Sequence, residues 1–488
     1  GRNMTDFAFR SAVELAEDVR ERRIGCVELL ELHLARVGRF NPALNAIVVL
    51  DAERARLRAK AADEALARGE VWGRLHGVPM TIKEAFDVAG LPTTGGLEEL
   101  RDNRPAKNAL VVDRLLQAGA VLFGKTNVPV RLGDWQTFNP VYGTTNNPWN
   151  LGRTPGGSSG GAAAALATGL AALEAGSDIG GSIRNPAHYC GVYGHKPTYG
   201  IVPQRGHAMP DWQAPPDINV CGPMARSADD LAEALEVMAG PDVFDAPAWR
   251  LELPPPRKEA LREFRVALMP NDPVCDVDAE VQERVQAVAD AVAAAGATVS
   301  DRARPDIDTR RSHALFLRLL RGVTHSTLPD EQFEVFRRLA EQASPDDDSY
   351  PAHVARGATQ LHRAWFKANE ERERLRFRWA EFFEEYDVLL CPAASTVAFP
   401  HDHAGDRADR KIVVNGREQL SVDQLFWAGL SGVALLPSTV APAGLGRASG
   451  LPVGVQIVGP YLGDRTTIRF ARLLAEQIGG FVPPPGHA

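Results

Sequence analysis

The sequence predicts an α/β fold: one large domain in α/β/α layers, with helices on both faces of a mixed, largely parallel central sheet. Three short apolar runs indicate buried strands, at residues 78–82, 121–123 and 388–390. Segments with helical periodicity separate them, and this alternation is typical of helices packed on a sheet. The 488 residues are 44% hydrophobic and 24% charged, which supplies enough apolar material for a sizeable core.

Helices are predicted first along the chain. Residues Ser11 to Glu14 form a capping-box pattern, and apolar residues follow it at helical spacing. A charged, alanine-rich helix is expected over residues 51–68. We therefore expect residues 1–72 to form an N-terminal helical region that packs on a core of residues 73–488.

Two later segments are also expected to be helical. Residues 306–385 are rich in charge and include a long helical pattern at 362–385, which we interpret as a helical insertion in the core. Residues 162–175 form the longest apolar stretch of the chain. This stretch is short and interrupted by polar residues, so it is predicted to be a core helix and not a membrane span.

Composition and charge argue against several classes of function. The net charge of -8 and the lack of a basic run indicate that the protein has no nucleic-acid partner. Five widely spaced cysteines without a C-x-x-C motif suit a reducing compartment, so a cytoplasmic location is expected. No spacing of histidines and cysteines indicates a metal site, and we expect no cofactor and no membrane contact. The amphipathic N-terminal helices could pack on a second subunit in a homodimer.

Two glycine-rich turns carry the strongest functional signal. The first, at residues 157–161, contains Ser158 and Ser159, and the second, at residues 180–184, contains Ser182. Because glycine has no Cβ, such turns let backbone N–H groups point at a reacting oxygen, as an oxyanion hole requires. The pattern predicts acyl-transfer chemistry.

Two formal motif matches lead to other interpretations. Residues 119–126 satisfy the phosphate-loop pattern, but residues 120–123 are an apolar strand where that motif needs a loop. Residues 157–161 satisfy the G-x-S-x-G pattern, which would make Ser159 a nucleophile, but no apolar strand precedes them. The sequence context favours neither.

Lys83 is the candidate general base because it ends the predicted strand 78–82. Burial there would lower its pKa and let a neutral amine take a proton from a serine. Taken alone, a lysine beside a glutamate more often forms a surface ion pair, so Lys83 by itself is weak evidence for a base. Lys125 competes for the role, but its Gly-Lys-Thr-Asn turn favours a structural function. No histidine has a recognisable acid partner, so His195 is predicted to be a core or turn residue.

Three motifs resemble the amidase signature family of serine hydrolases: residues 154–161, 176–184 and 194–200. Residues 76–83 and 450–456, among other segments, also resemble the family. The similarity covers most of the chain except the helical insertion. It implies the amidase signature fold and an amidase that hydrolyses a carboxylic amide C–N bond through an acyl-enzyme. Anilides, carbamates and esters are further substrates that the resemblance allows.

The resemblance also assigns roles to residues. It makes Ser182 the nucleophile, Lys83 the general base, and Ser158 a bridging serine that follows a cis peptide bond and contacts both. Asp178 and Arg184 are expected to brace the nucleophile's loop. The expected oxyanion donors are the backbone N–H groups of Ile179, Gly180, Gly181 and Ser182.

Loops should determine which small-molecule amide or carbamate is bound, since binding residues commonly lie on loops of a shared scaffold. Residues 91–96, 134–139 and 204–216 are expected to line the pocket. The last of these is interpreted as a lid over an apolar or aromatic group, although it could also be an ordinary surface loop. The candidate substrate-binding residues are Thr94, Gly95, Gln136, Ser159, Arg205, Met209 and Trp212.

Two alternatives remain open at this point. The amidotransferase subunit that works on charged tRNA has a very similar signature and functions with partner subunits. Residues 201–205 and the helical insertion differ from the sequence of that subunit, so a free-standing amidase is favoured. A nucleotide-binding protein that uses residues 119–126 is the alternative from a different class.

Overall fold

Helices and strands alternate along the part of the chain that the computed structural model describes, residues 7–210 and 212–488. The helices are α1 (Ala12–Arg20), α2 (Cys26–Leu44), α3 (Ala52–Ala67), α4 (Leu110–Gln117), α5 (Gly160–Ala167), α6 (Arg184–Cys190), α7 (Ala228–Met238), α8 (Ala279–Ala294), α9 (Thr309–Thr324), α10 (Asp330–Gln342), α11 (Tyr350–Ala358), α12 (His362–Glu385), α13 (Leu425–Gly432) and α14 (Asp464–Ile478). The strands are β1 (Ile47–Leu50), β2 (Pro79–Lys83), β3 (Val121–Thr126), β4 (Phe138–Asn139), β5 (Gly143–Thr144), β6 (Glu174–Asp178), β7 (Tyr193–Lys196), β8 (Val220–Ala225), β9 (Arg265–Leu268), β10 (Thr298–Ser300), β11 (Val388–Pro392), β12 (Lys411–Val414), β13 (Arg417–Leu420), β14 (Ser438–Leu445) and β15 (Pro452–Val458).

An eight-stranded sheet forms the centre of the fold, in the order β10-β9-β11-β15-β14-β7-β8-β6. The predicted α/β fold and mixed sheet are confirmed, but antiparallel pairs outnumber parallel ones. Only β10 with β9 and β9 with β11 run parallel, at one edge. The other neighbours are antiparallel. Apolar runs do not reveal direction, because a strand buried on both faces is continuously apolar in either arrangement.

Both faces of this sheet are covered by helices, as β11 shows. Val388 and Leu390 belong to one apolar cluster, which also contains residues of α8 and α14. Leu389 and Cys391 belong to a second cluster, with residues of α9, α12 and α13. Because successive side chains of a strand point to opposite faces, the alternation places the two groups of helices on opposite sides.

A smaller sheet, ordered β1-β3-β2, lies against the β6 edge of the large sheet. Two backbone hydrogen bonds join β2 to the segment before β6: Ala172 N donates to Pro79 O at 3.1 Å, and Thr81 N donates to Leu173 O at 3.4 Å. β2 and β3 are parallel, with Lys83 opposite Thr126. This contact brings the end of β2 next to the loop that follows β6.

The structure rules out the phosphate-loop interpretation of residues 119–126. Gly124, Lys125 and Thr126 belong to strand β3 and not to a loop. The Lys125 ammonium is buried and donates to Pro92 O at 2.5 Å and to Thr93 Oγ1 at 3.0 Å. Lys125 therefore ties β3 to a neighbouring loop, in the structural role that its motif predicted.

The N-terminal helices pack into the same apolar cluster as the small sheet, with Leu15 and Leu30 beside residues such as Phe123. β1 also pairs with β3. The division at residue 72 stays a prediction, and residues 1–6 lie outside the described residues.

Residues 309–385 fold into α9 to α12, in agreement with their helical pattern. The expected core helix at 162–175 is wrong in its second half. α5 ends at Ala167, Gly169 has a φ of +68°, and β6 begins at Glu174. A left-handed residue favours glycine and ends a helix. No described helix has both the length and the apolar composition needed to cross a membrane.

Candidate active site

The loop before α5 places Ser158 and Ser159 in the protein interior. The peptide bond between Gly157 and Ser158 is cis, as the family resemblance implied. A Cβ on Gly157 would lie only 2.3 Å from Asp134 O, so no other residue fits at this turn without moving the backbone. α5 follows directly, and all of its residues are buried. The tightly packed turn at Gly157 and the buried helix α5 therefore fix the positions of the two serines.

Lys83 is fully buried at the end of β2, with its amine among the serines. Its Nζ lies 2.6 Å from Ser158 Oγ, 2.9 Å from Ser159 Oγ and 3.4 Å from Ser177 O. Burial lowers the pKa of Lys83 to about 7, although the negative charge of Asp178 acts in the opposite direction. A substantial fraction of this amine is therefore neutral near pH 7 and able to accept a proton.

The loop between β6 and α6 is organised by the carboxylate of Asp178. It accepts hydrogen bonds from the backbone N–H groups of Gly181 at 2.9 Å, Ile183 at 3.0 Å and Arg184 at 3.3 Å. It also forms a buried ion pair with the Arg184 guanidinium, at 2.9 Å. Burial alone would raise the pKa of Asp178, but Arg184 and the amides outweigh it and hold the pKa at about 2. Asp178 and Arg184 thus brace the loop.

Three amides of this loop have no acceptor elsewhere in the described part of the chain: those of Ile179, Gly180 and Ser182. All three residues line the main cavity. The structure removes Gly181 from the expected set of oxyanion donors, because its N–H is engaged by Asp178. Trp135 Nε1 donates to Gly180 O at 2.8 Å and helps to fix the orientation of the loop.

Ser182 lies on the cavity wall and is 6% exposed. Its carbonyl oxygen accepts a hydrogen bond from Ser159 N at 3.1 Å, which joins the two serine loops. Among the described residues no hydrogen bond connects the hydroxyls of Ser158 and Ser182. The structure thus shows the contact between Lys83 and Ser158, and the expected contact between Ser158 and Ser182 stays a prediction.

The cavity above these serines has a volume of about 510 Å³, which suits a small organic molecule. Much of its lining is apolar, including Trp135, Met209, Trp212 and Leu425. Segments α9, α10 and α11 add further apolar residues, such as Leu320, Phe336 and Val354. Its polar residues include Arg321 of α9, Tyr350 of α11 and Arg407 of the 407–409 turn.

The structure brings some of the predicted substrate-binding residues to this cavity but not others. Gly95, Met209 and Trp212 line it, so part of the 204–216 segment lines the cavity as expected, and its role as a lid stays a prediction. Arg205 instead forms an exposed ion pair with Asp242, at 3.0 Å.

Three further candidates are buried beside the cavity without lining it. Thr94 donates to the Glu84 carboxylate, and Gln136 exchanges hydrogen bonds with the backbone of Asp402. Ser159 lies beneath the cavity, in contact with Lys83. Their contacts indicate positioning roles and leave them no access to a substrate.

His207 is a cavity residue that the sequence did not single out as a binding residue. Its ring packs against Phe86, and its buried Nε2 has no hydrogen-bond partner in the described residues. Burial, with a smaller effect of Lys83, lowers the pKa of His207 to about 3. The ring is therefore neutral at pH 7 and too weakly basic to replace Lys83.

His195 is buried away from the cavity, as predicted for a core residue. The expectation that it lacks an acid partner is wrong. Its Nε2 lies 2.9 Å from Asp464 Oδ2, and its Nδ1 lies 2.8 Å from Thr439 Oγ1. Asp464 begins α14, 269 residues further along the chain, and sequence proximity could not reveal the pair. No group of residues suited to hold a metal ion occurs in the described ranges.

The fold is that of an amidase signature enzyme. The Amidase family model matches residues 28–468, and the chain belongs to that family. It is 33% identical to a glutamyl-tRNA(Gln) amidotransferase subunit of Anaeromyxobacter dehalogenans, over 97% of both chains. It is 36% identical to an acylamidase of Rhodococcus erythropolis, over 94% of both. A solved bacterial aryl acylamidase of the same family is similar with a TM-score of 0.80 and 27% identity, covering 96% of each chain.

Proposed function

We propose that the protein is an amidase that hydrolyses a carboxylic amide C–N bond through an acyl-enzyme on Ser182. Lys83 acts as the general base and Ser158 relays protons between them. The observation that carries this proposal is the Lys83 amine, which is fully buried, 2.6 Å from Ser158 Oγ, with a pKa of about 7. A lysine in that state can do the work that histidine does in other serine hydrolases.

The chemistry follows from this arrangement. Neutral Lys83 takes the proton of Ser158, which takes the proton of Ser182 as Ser182 Oγ attacks the carbonyl carbon. The amides of Ile179, Gly180 and Ser182 stabilise the resulting oxyanion. The same relay then returns a proton to the leaving nitrogen, and the C–N bond breaks. Water attacks the acyl-enzyme in a second, equivalent cycle and releases the acid.

The relay requires the Ser182 hydroxyl to approach Ser158 Oγ in the complex with substrate. Hydrogen bonds of catalytic groups often become short and well aligned only in that complex. The hydrogen bond from Ser159 N to Ser182 O, at 3.1 Å, already holds the two loops together.

The cavity supports substrates with an apolar or aromatic part, because Trp135, Met209 and Trp212 line it near Ser182. Similarity to an acylamidase and an aryl acylamidase agrees with this. Anilides, aryl carbamates and esters share the same tetrahedral chemistry and are proposed as further substrates.

A second candidate function is that of an amidotransferase component that works with partner proteins. The 33% identity to a glutamyl-tRNA(Gln) amidotransferase subunit over 97% of both chains favours it. The sequence of residues 201–205 and the helical insertion favour the free-standing amidase.

Hydrolysis by the isolated chain separates these two functions. We expect the purified protein to release amine or alcohol from at least one member of a panel of 4-nitroanilides, primary amides, aryl carbamates and esters. Chromatography of the untagged protein from its native host should show no stoichiometric partner. An inert isolated chain that co-purifies with another protein would establish the amidotransferase function instead.

The pH dependence of kcat/KM should follow the ionisation of Lys83 in the free enzyme. Lys83 is mostly neutral above pH 7 and protonated below it, so kcat/KM should fall about tenfold per pH unit below 7 and level off above it. The measurement is kcat/KM between pH 5 and 9, with circular dichroism at each pH as a control for unfolding. A flat profile across pH 7 in folded protein would exclude Lys83 as the base.

A further inference from the structure

The cavity lining includes a cluster of hydrogen-bond donors that the proposed mechanism does not use. We call Arg321, Tyr350 and Arg407 the arginine wall. Arg321 Nη2 donates to Tyr350 Oη at 2.5 Å, and Arg407 Nη2 donates to the same oxygen at 3.5 Å. Each residue comes from a different segment, α9, α11 and the 407–409 turn, so their meeting depends on the tertiary fold.

Arg321 is the central residue of the arginine wall because it is buried and none of the described carboxylates pairs with it. It is only 5% exposed, and its Nε has no hydrogen-bond partner in the described residues. Within the described ranges no carboxylate lies in ion-pair contact with the guanidinium of Arg321 or Arg407. Burial lowers the pKa of Arg321 to about 10, which leaves the group charged at pH 7. A buried charge normally has a partner.

The described carboxylates beside the cavity act on Arg407 and not on Arg321: burial would lower the pKa of Arg407, but Tyr350, Asp134 and Asp406 outweigh it and raise that pKa. Asp134 is paired with Arg410 at 2.7 Å, and Asp178 is paired with Arg184. Asp406 is exposed and accepts a hydrogen bond from Ala408 N at 3.2 Å. Among the described residues, Arg321 is thus the charge of the arginine wall on which no carboxylate acts.

Tyr350 adds a neutral donor to the same place. Its oxygen accepts from both guanidinium groups, and its own proton has no acceptor among the described residues. The two arginines outweigh the effect of burial and lower the pKa of Tyr350. A hydroxyl in this environment donates strongly to an anion.

Resting on the amidase function proposed above, we propose that the arginine wall binds a carboxylate of the substrate. The preferred substrates are then amides that carry a negative charge away from the bond that is cleaved, with their apolar part against Trp135 and Met209. A carboxylate bound at the arginine wall would give the Tyr350 proton an acceptor and the Arg321 charge a counter-ion.

Two pairs of substrates of matched shape test this preference. In the first, the glutaric acid mono-4-nitroanilide carries the carboxylate on the acyl part, and the 5-methylhexanoic 4-nitroanilide replaces it by an isopropyl group. In the second, N-butyryl-4-aminobenzoate carries it on the amine part, and N-butyryl-4-isopropylaniline is the neutral partner. We expect kcat/KM to be at least about tenfold higher for the charged member of one pair, and the pair concerned identifies the side on which the carboxylate binds.

Variants assign that preference to the arginine wall. Arg321→Gln should lower kcat/KM for the charged member, so that the ratio of kcat/KM values within a pair comes close to one. Tyr350→Phe keeps the ring and removes the hydroxyl, and it should also lower the ratio of kcat/KM between the charged and the neutral substrate. This variant tests the proposal if Arg321→Gln does not fold. Arg311→Gln changes an exposed arginine of the same helix and should leave the ratio unchanged. Equal turnover within both pairs, or a preference that survives in both wall variants, would overturn the proposal.

Binding to Ser182→Ala separates this proposal from the amidase function. Calorimetry with the same four compounds should show the charged member binding at least about tenfold more tightly, and Arg321→Gln in this background should remove the difference. If the wild type hydrolyses none of the compounds but this binding difference is present, the amidase function fails and the carboxylate site stands. Equal binding within both pairs overturns the site whatever the turnover.

Discussion

Ser182→Ala is expected to lower kcat for the best amide substrate by a factor of about 10⁴ to 10⁶, because it removes the atom that forms the acyl-enzyme. The variant should fold normally, since no hydrogen bond of the Ser182 side chain to another described residue is lost. Its KM or its affinity for substrate should change little. Single-turnover kinetics and unfolding curves of the two proteins check both parts of this expectation.

Ser159→Ala is the matched control for that loss. Ser159 belongs to the neighbouring glycine-rich turn and contacts Lys83, but it does not line the cavity. We expect it to lower kcat only about tenfold, since Lys83 keeps its contact with Ser158. If Ser159→Ala abolished turnover and Ser182→Ala did not, the G-x-S-x-G interpretation of residues 157–161 would be correct and the proposed nucleophile wrong.

Asp178→Asn should cause a large loss of stability, about 3 to 5 kcal/mol in the free energy of unfolding. The substitution leaves Arg184, which is 1% exposed, without its counter-ion, and breaking one side of a buried ion pair costs that much. It also weakens the acceptor of the three amides that shape the nucleophile's loop. Urea unfolding followed by circular dichroism measures the difference.

Asp242→Asn provides the comparison, because it removes the acid of the exposed ion pair with Arg205. Its cost in the free energy of unfolding should be at most about 1 kcal/mol.

The contribution of Asp178 to the free energy of unfolding should also depend on pH with a defined sign. Since its folded pKa is lowered from 3.8 to about 2, the contribution is complete above pH 3.8 and is lost as the pH falls through 2. If Asp178→Asn lowers the free energy of unfolding as little as Asp242→Asn does, the loop does not depend on Asp178.

The sequence predicted those parts of the site that are contiguous in the chain. Ser158 and Ser182 lie in motifs whose glycines and turn residues specify local backbone geometry, and Lys83 ends a strand with a clear apolar pattern. The long helix at 362–385 was also predicted with the bounds that the structure has. Each of these depends on neighbouring residues, whose pattern a sequence displays directly.

The parts that were not predicted depend on distant segments or on orientation. Arg321, Tyr350 and Arg407 meet from three elements, and none carries a local motif. The pairing of His195 with Asp464 is equally non-local. Gly181 was expected to be an oxyanion donor, but its N–H points to Asp178. The resemblance to the family did not determine the direction of that N–H. Strand direction in the large sheet was hidden because buried strands look alike in both orientations.

The position of Lys83 has one more consequence. Lys83 ends β2 of the small sheet, whereas Ser182 follows β6, the edge strand of the large sheet, and the two sheets meet through the hydrogen bonds of residues 79–81 with 172–173. Neither sheet alone holds both the base and the nucleophile. In a refolding experiment, circular dichroism would register the formation of helices and strands, whereas recovery of turnover would also require the two sheets to dock. Recovered activity therefore reports on the packing of one sheet against the other, which the circular dichroism signal alone does not.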